Sequence, residues 1–421
     1  MNYTLFKEAD KKIEGDMKLI CEEIRRKIPR VISIILTGGF SRGEGPVKRE
    51  KGKFYPYNDY DIQVISDTKL DKDKIDKISN EISKKLGYRG IEYFYCFKKS
   101  EQRMKKNFYV DLKCNTPSEL KRFLPRIRYY ELRNHSRVLY GKDIRFLIPD
   151  YKLKDIPLAE GAKLLLDRLS QLISYYSKNG NYENEFLYYV IQQAYAACCT
   201  SLLLLSGEYK IGYRKSMEIL KKTYEKDFPE LYKKIPNLSA KVEEFIKWKT
   251  NPTKIDKDVR EEWFIAKENV LEVCKYFFSK FLNKDIKNIN ELSLGISQMS
   301  KEFYLPYLKH LFRTTLGFDF GFLNFVFLLG VSFILKKNYY FRLKILGIQK
   351  LSVFLEKSPD LIIFSSLPFI ADSIKPAGVD NSLLMRGAEL LKKVYPTKNK
   401  NWDEVTIDYT NAYIAFFLQK I

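Results

Sequence analysis

The chain has 421 residues, enough to bury the cores of two or three domains, and its 45% hydrophobic content excludes an intrinsically disordered protein. Its six cysteines show no Cys-x-x-Cys or Cys/His spacing, which argues against a zinc site or a disulfide scaffold and for a reducing, cytoplasmic setting. The 74 Lys and Arg against 52 Asp and Glu leave a formal charge of +22, which favours polyanionic partners: nucleoside triphosphates, nucleic acid or anionic lipid headgroups.

The opening MNYTLFKEADKKIEGDMK has no apolar run of the signal-peptide kind. Leu5, Ile13, Met17, Ile20, Ile24 and Ile28 recur at helical spacings and predict a helix that Pro29 ends. VISIIL at 31–36 reads as a strand running into Gly38-Gly39 and a helix start. The segment PVKREKGKFYPY, 46–57, reads as a polar, basic loop. Over 59–66, Tyr60, Ile62 and Val64 alternate with Asp59, Asp61 and Gln63, as in a second strand. An amphipathic helix is expected over 69–86 and further strands over 91–97 and 108–114. Thr116 as N-cap with Pro117 at the first helical position marks another helix start.

Beyond Asp150 the strand signals fade. Leu158, Ala162, Leu165, Leu166, Leu169 and Leu172 mark a strong helix. Further helices are expected over 186–205, with a stop at Ser206-Gly207, over 213–224 and over 261–282. The reading is an α+β fold: a small mixed β-sheet domain over 1–150, a helical bundle over 151–285 and an aromatic-rich, mainly helical region over 286–421. Within the last, residues 320–335 form an uncharged run of 16, shorter than the roughly 20 residues of a spanning helix. A buried helix or a membrane-surface contact is expected there.

The chemistry gathers in the first 115 residues. Gly38 and Gly39 carry no side chains, so backbone N–H groups can approach a phosphate closely. Ser41 offers a hydroxyl donor, and Arg42 offers a cation for a phosphate or a partner for Glu44. Asp59 and Asp61, two apart on a strand, share one face and repel each other. Cations relieve that repulsion, and hard oxygen ligands suit Mg²⁺ or Mn²⁺. Asp111, between Val110 and Leu112 on a later strand, completes a candidate two-metal site. His135 and His310 sit in no triad or metal pattern, so histidine-based acid–base catalysis is not expected.

Gly38-Gly39-Phe40-Ser41-Arg42-Gly43-Glu44, then Asp59-Tyr60-Asp61, then Asp111, resembles the DNA polymerase beta-like nucleotidyltransferase superfamily. Its pattern is an apolar strand, Gly-Gly or Gly-Ser, a gap, Asp-x-Asp and a third Asp on a later strand. The resemblance covers about residues 30–115. It implies a nucleotidyltransferase sheet domain and transfer of a nucleoside monophosphate from a triphosphate to a hydroxyl, with release of pyrophosphate. It implies Asp59 and Asp61 as ligands of both metals and Asp111 as the group that helps activate the acceptor. The gap from Gly39 to Asp59 is longer than is usual in that superfamily, with 46–57 as the insertion. Residues 192–216 are similar, more loosely, to the helical domain of kanamycin-type nucleotidyltransferases. Lys210, Tyr213 and Arg214 are candidates to close over the nucleotide, or form an ordinary helix start, and Glu183 and Glu185 are candidate acceptor-side bases.

Lys121, Arg122, Arg126, Arg128, Arg133 and Arg137 are interleaved with Phe123, Tyr129 and Tyr130, a pattern that suits an RNA or DNA backbone or a solvated helix face. The acceptor therefore stays open between a small molecule, an RNA 3′ end and a protein side chain. Two other function classes remain: a non-catalytic nucleotide- or RNA-binding module, and a membrane-peripheral enzyme of lipid-linked or glycan intermediates.

Overall fold

The structure, a computed structural model, describes residues 2–88, 109–180, 182–316, 324–356, 358–398 and 401–418. The N-terminal part runs α1 (Lys7–Lys27), β1 (Val31–Leu36), α2 (Gly38–Ser41), β2 (Val47–Glu50), β3 (Lys53–Pro56), β4 (Tyr60–Ser66), α3 (Lys72–Lys85), β5 (Val110–Asn115), α4 (Pro117–Leu120), α5 (Ile127–Asn134) and β6 (Arg137–Gly141). Four strands form a sheet in the order β5-β4-β1-β6, with β4 and β5 parallel and the other pairs antiparallel.

Strand parity sorts the sheet into two faces. Ile34, Leu36, Tyr60, Ile62, Val64, Val110 and Leu112 pack on Ile13, Met17, Ile20 and Ile24 of α1 and on Ile75, Ile78 and Ile82 of α3. Ile35 and Ile65 face the other way, toward Leu120, Phe123 and Leu132. The odd-numbered carboxylates Asp61 and Asp111 therefore leave the face covered by α1 and α3.

Two expectations are corrected here. Residues 46–57 are not a loop: β2 and β3 form an antiparallel hairpin, turned at Lys51 and Gly52, both with positive φ. Strand β6 closes the far edge of the sheet beside β1, a strand not anticipated from the sequence. The strand expected over 91–97, and Phe108 of the next, lie outside the described residues. Thr116 caps α4 with a full capping box to Glu119, but α4 is a single turn.

The rest of the described chain is helical: α6 (Leu158–Tyr175), α7 (Asn184–Ser206), α8 (Tyr213–Asp227), α9 (Pro229–Lys234), α10 (Leu238–Thr250), α11 (Val259–Leu282), α12 (Ile289–Gln298), α13 (Ser300–Leu316), α14 (Asn324–Ile345), α15 (Pro359–Ser373), a two-residue ladder of β7 (Ile374–Lys375) with β8 (Gly378–Val379), α16 (Asn381–Lys392) and α17 (Trp402–Tyr413). Gly207 caps α7 in the left-handed conformation, the stop anticipated at Ser206-Gly207. One apolar core runs from α6 to α17, centred on Trp263, which stacks on Tyr176 at 3.8 Å and meets Trp402 edge-on. Among the described residues α7 alone is long and apolar enough to cross a membrane, and 78% of that stretch is buried in this core.

Candidate active site

The register of β4 on β5 sets Asp61 directly opposite Asp111. Asp59 precedes β4 by one residue. One carboxylate oxygen from each of Asp59, Asp61 and Asp111 can be chosen so that all lie within 4.8 Å of one another, and all three residues are half-buried. Tyr60 between the first two points to the opposite face, is fully buried, and donates its hydroxyl to Asp16 Oδ2 at 2.8 Å. That buried anchor fixes the backbone that presents both carboxylates.

Gly38 forms the wall beside them. Its φ is +71°, and a Cβ placed on it would sit 2.4 Å from Asp61 Oδ2. The Thr37 N–H donates to the Asp61 carbonyl at 2.9 Å, which stitches the glycine turn to the carboxylate strand. The helix expected after the turn is only the four residues of α2, so the turn acts through its backbone and not through a helix dipole.

Three carboxylates this close disfavour one another's ionisation. Burial, then the charge of Asp59, pushes the Asp61 carboxyl up to about 7. Burial, then Asp111, raises the Asp59 carboxyl. Lys113 donates to Asp111 Oδ2 at 2.5 Å and offsets part of the charge of the three carboxylates. An all-oxygen set of this density has the donor chemistry of a Mg²⁺ or Mn²⁺ site.

Asp59 and Asp61 open into a cleft of about 430 Å³ between the sheet and helices α6, α7 and α10, whereas Asp111 stands behind them and does not line it. Gly38, Gly39, Arg42, Asp59 and Asp61 line one side, and Lys163, Arg168, Gln193 and Lys249 line the other. Lys249 is 4% exposed. Its Nζ lies 3.7 Å from the Tyr213 ring centroid, and among the described residues it makes no ion pair with a carboxylate. A buried ammonium over the rings of Tyr213 and Phe245, within electrostatic reach of Asp59 but in no ion pair, is placed to receive an anion.

The other anticipated residues divide. Ser41 is buried, does not line the cleft, and sits 2.8 Å from the Gly38 carbonyl and 2.9 Å from that of His135, its hydroxyl committed to backbone. Arg42 reaches the cleft but pairs with Glu131 at 3.0 Å and Glu44 at 3.5 Å. Glu44 in turn accepts the Tyr213 and Arg214 N–H groups, each at 3.2 Å. Arg42 thus ties the glycine turn to the start of α8. Tyr213 lines the cleft, whereas Lys210 and Arg214 do not. Glu185 pairs with Lys48 at 3.3 Å, and Glu183 precedes α7 as its N-cap residue.

The basic side chains of 121–137 do not form one strip. Arg126 and Arg128 enter the cleft. Arg133 donates to the carbonyls of Phe146 and Ile148, and Arg137 to those of Asn2 and Ser41. Phe123 stacks on Tyr129 at 3.8 Å and is buried.

Lys249 escaped the sequence reading because α10 did. A signal exists: Val242, Phe245, Ile246 and Lys249 follow one helical stripe, so the lysine occupies an apolar position. No protein-family profile, curated protein or solved structure matches the chain.

Proposed function

We propose that the chain is a metal-dependent nucleotidyltransferase, moving a nucleoside monophosphate from a triphosphate to the hydroxyl of a compact acceptor. The observation that carries this reading is the convergence of Asp59, Asp61 and Asp111, the first two of which line a cleft that faces Lys249. Asp59 and Asp61 would hold the metal, and Asp111 would share it. Bound Mg²⁺ or Mn²⁺ supplies Lewis-acid activation of the acceptor hydroxyl and offsets charge on the triphosphate.

The chain's own groups do the rest. Gly38 and Gly39 let the triphosphate lie against backbone, and Lys249 balances its charge from the helical wall. Asp111 takes the acceptor proton on Oδ1, since Lys113 occupies Oδ2. The acceptor oxygen bonds to the α-phosphorus, the α–β anhydride bond breaks, and pyrophosphate leaves with its electron pair. A volume of about 430 Å³ lies in the range of small-ligand sites and favours a compact acceptor over an RNA end.

The test is incubation with each triphosphate labelled at the α-phosphate, Mg²⁺ or Mn²⁺, and separate RNA, protein and metabolite fractions, with Asp59→Asn alongside. Label entering the metabolite fraction only with the unaltered chain supports the proposal. No transfer and no metal-dependent nucleotide binding would reduce the chain to a non-catalytic module.

A further inference from the structure

Helix α14 carries a stripe of exposed apolar side chains. Val326, Leu329 and Phe333, then Phe341 and Ile345, follow one helical stripe that Lys337 interrupts, and the five apolar residues are 57%, 57%, 59%, 49% and 84% exposed. Tyr339 and Leu343, on the opposite side, are fully buried, and Arg342 donates to the carbonyls of Ala415 and Phe416. The helix is therefore pinned to the body of the protein along one side. Leu351 and Leu355, 68% and 86% exposed, extend the patch, because Phe354 between them packs on the rings of Phe333 and Tyr340. A soluble monomer rarely leaves so much contiguous apolar surface uncovered.

The charge around the stripe selects its partner. Lys336, Lys337, Arg342 and Lys344 make α14 basic, and it contains no Asp or Glu. Lys337 and Lys344 are exposed and lie along the stripe itself. In a self-complementary pairing of two copies these ammonium groups would be brought against one another. Against anionic headgroups they would be neutralised while the Phe and Leu side chains enter the acyl boundary. We infer that the α14 face docks on an anionic lipid surface, with the helix lying in the interface and not spanning it. The inference stands apart from the proposed nucleotidyl transfer, since none of its residues touches the triad.

Flotation of the full chain with phosphatidylglycerol-containing vesicles, and with pure phosphatidylcholine vesicles, tests it. Co-flotation is expected with the anionic vesicles and is expected to weaken as salt is raised. Leu329→Asp and Phe333→Asp should each lower partitioning by roughly tenfold or more. Lys337→Glu and Lys344→Glu should each lower it by about fivefold or more. All four positions are exposed, so the fold is expected to persist, checked by circular dichroism. Failure of the full chain to float with anionic vesicles would overturn the inference. So would flotation indifferent to all four changes, which would trace binding to the overall +22 charge. A concentration-dependent dimer lost in Phe333→Asp would assign the face to a second copy and overturn it as well.

Discussion

Gly38 and Asp61 compete for one volume: a methyl group on the glycine would lie 2.4 Å from the carboxylate oxygen Oδ2. The same glycine holds φ +71°, which an L side chain tolerates only at roughly 1–2 kcal/mol. Gly38→Ala is therefore expected to displace Asp61 as well as strain the turn. Metal affinity and turnover should fall together by at least tenfold, with a modest loss of stability. Gly39→Ala, whose Cβ would come no nearer than 3.3 Å to its first neighbour, the Glu44 carbonyl oxygen, should retain more of both. Calorimetric Mn²⁺ titration of the two variants checks the order. Equal losses would detach the glycine's role from Asp61.

The Asp61 carboxyl, near 7 in the folded chain, stands well above the roughly 4 of an unfolded one. The folded state then holds a proton that the unfolded state releases, so stability falls as pH climbs from about 4 to about 7 and levels off above. A divalent cation displaces that proton, so Mn²⁺ affinity should rise through the same window. Asp61→Asn is expected to abolish turnover, flatten the pH dependence of the metal-free melting temperature and raise that temperature at pH 8. Melting curves across pH with and without Mn²⁺ give the answer, and a variant that melts lower at pH 8 would refute the repulsion.

The triad was legible because strand parity and the Asp-x-Asp spacing are local. Asp59 and Asp61 needed only period two, and Asp111 needed a flanking pair, Val110 and Leu112, to mark its strand. The parallel register that sets Asp61 against Asp111 is a tertiary fact and left no local trace. The hairpin at 47–56 was hidden by its charged strands, although Lys51-Gly52 is a turn signal. Ser41 and Arg42 were assigned by chemical type, whereas their partners, His135 and Glu131, lie about 90 residues away. Lys249 depended on a helix that the spacing of 238–250 could have supplied.

Arg42 illustrates how a cationic cleft residue differs from a ligand-binding one. It is paired with Glu131 and Glu44, and all three side chains are largely buried. Arg42→Ala would leave two carboxylates without their cation, a loss on the order of 3–5 kcal/mol for a buried pair. The expected signature is a large drop in melting temperature that Glu131→Gln partly restores in the double variant. Nucleotide affinity in the fraction that stays folded should change little. A stable Arg42→Ala chain with weakened nucleotide binding would return Arg42 to the phosphates.

Lys249 should behave in the opposite way. It is 4% exposed and has a π-face but, among the described residues, no carboxylate at ion-pair distance, so Lys249→Met removes a buried charge and breaks no ion pair. Melting temperature is expected to hold or rise. A charge-assisted bond to a phosphate contributes about 1.5–3 kcal/mol, so affinity for a non-transferable triphosphate analogue should drop roughly tenfold to a hundredfold. The loss should be smaller for the monophosphate, which presents fewer charged oxygens to the ammonium. Titrating both ligands against both proteins separates the roles. Unchanged triphosphate affinity alongside a collapsed melting temperature would make Lys249 a packing residue over Tyr213 and not the counter-charge to the phosphates.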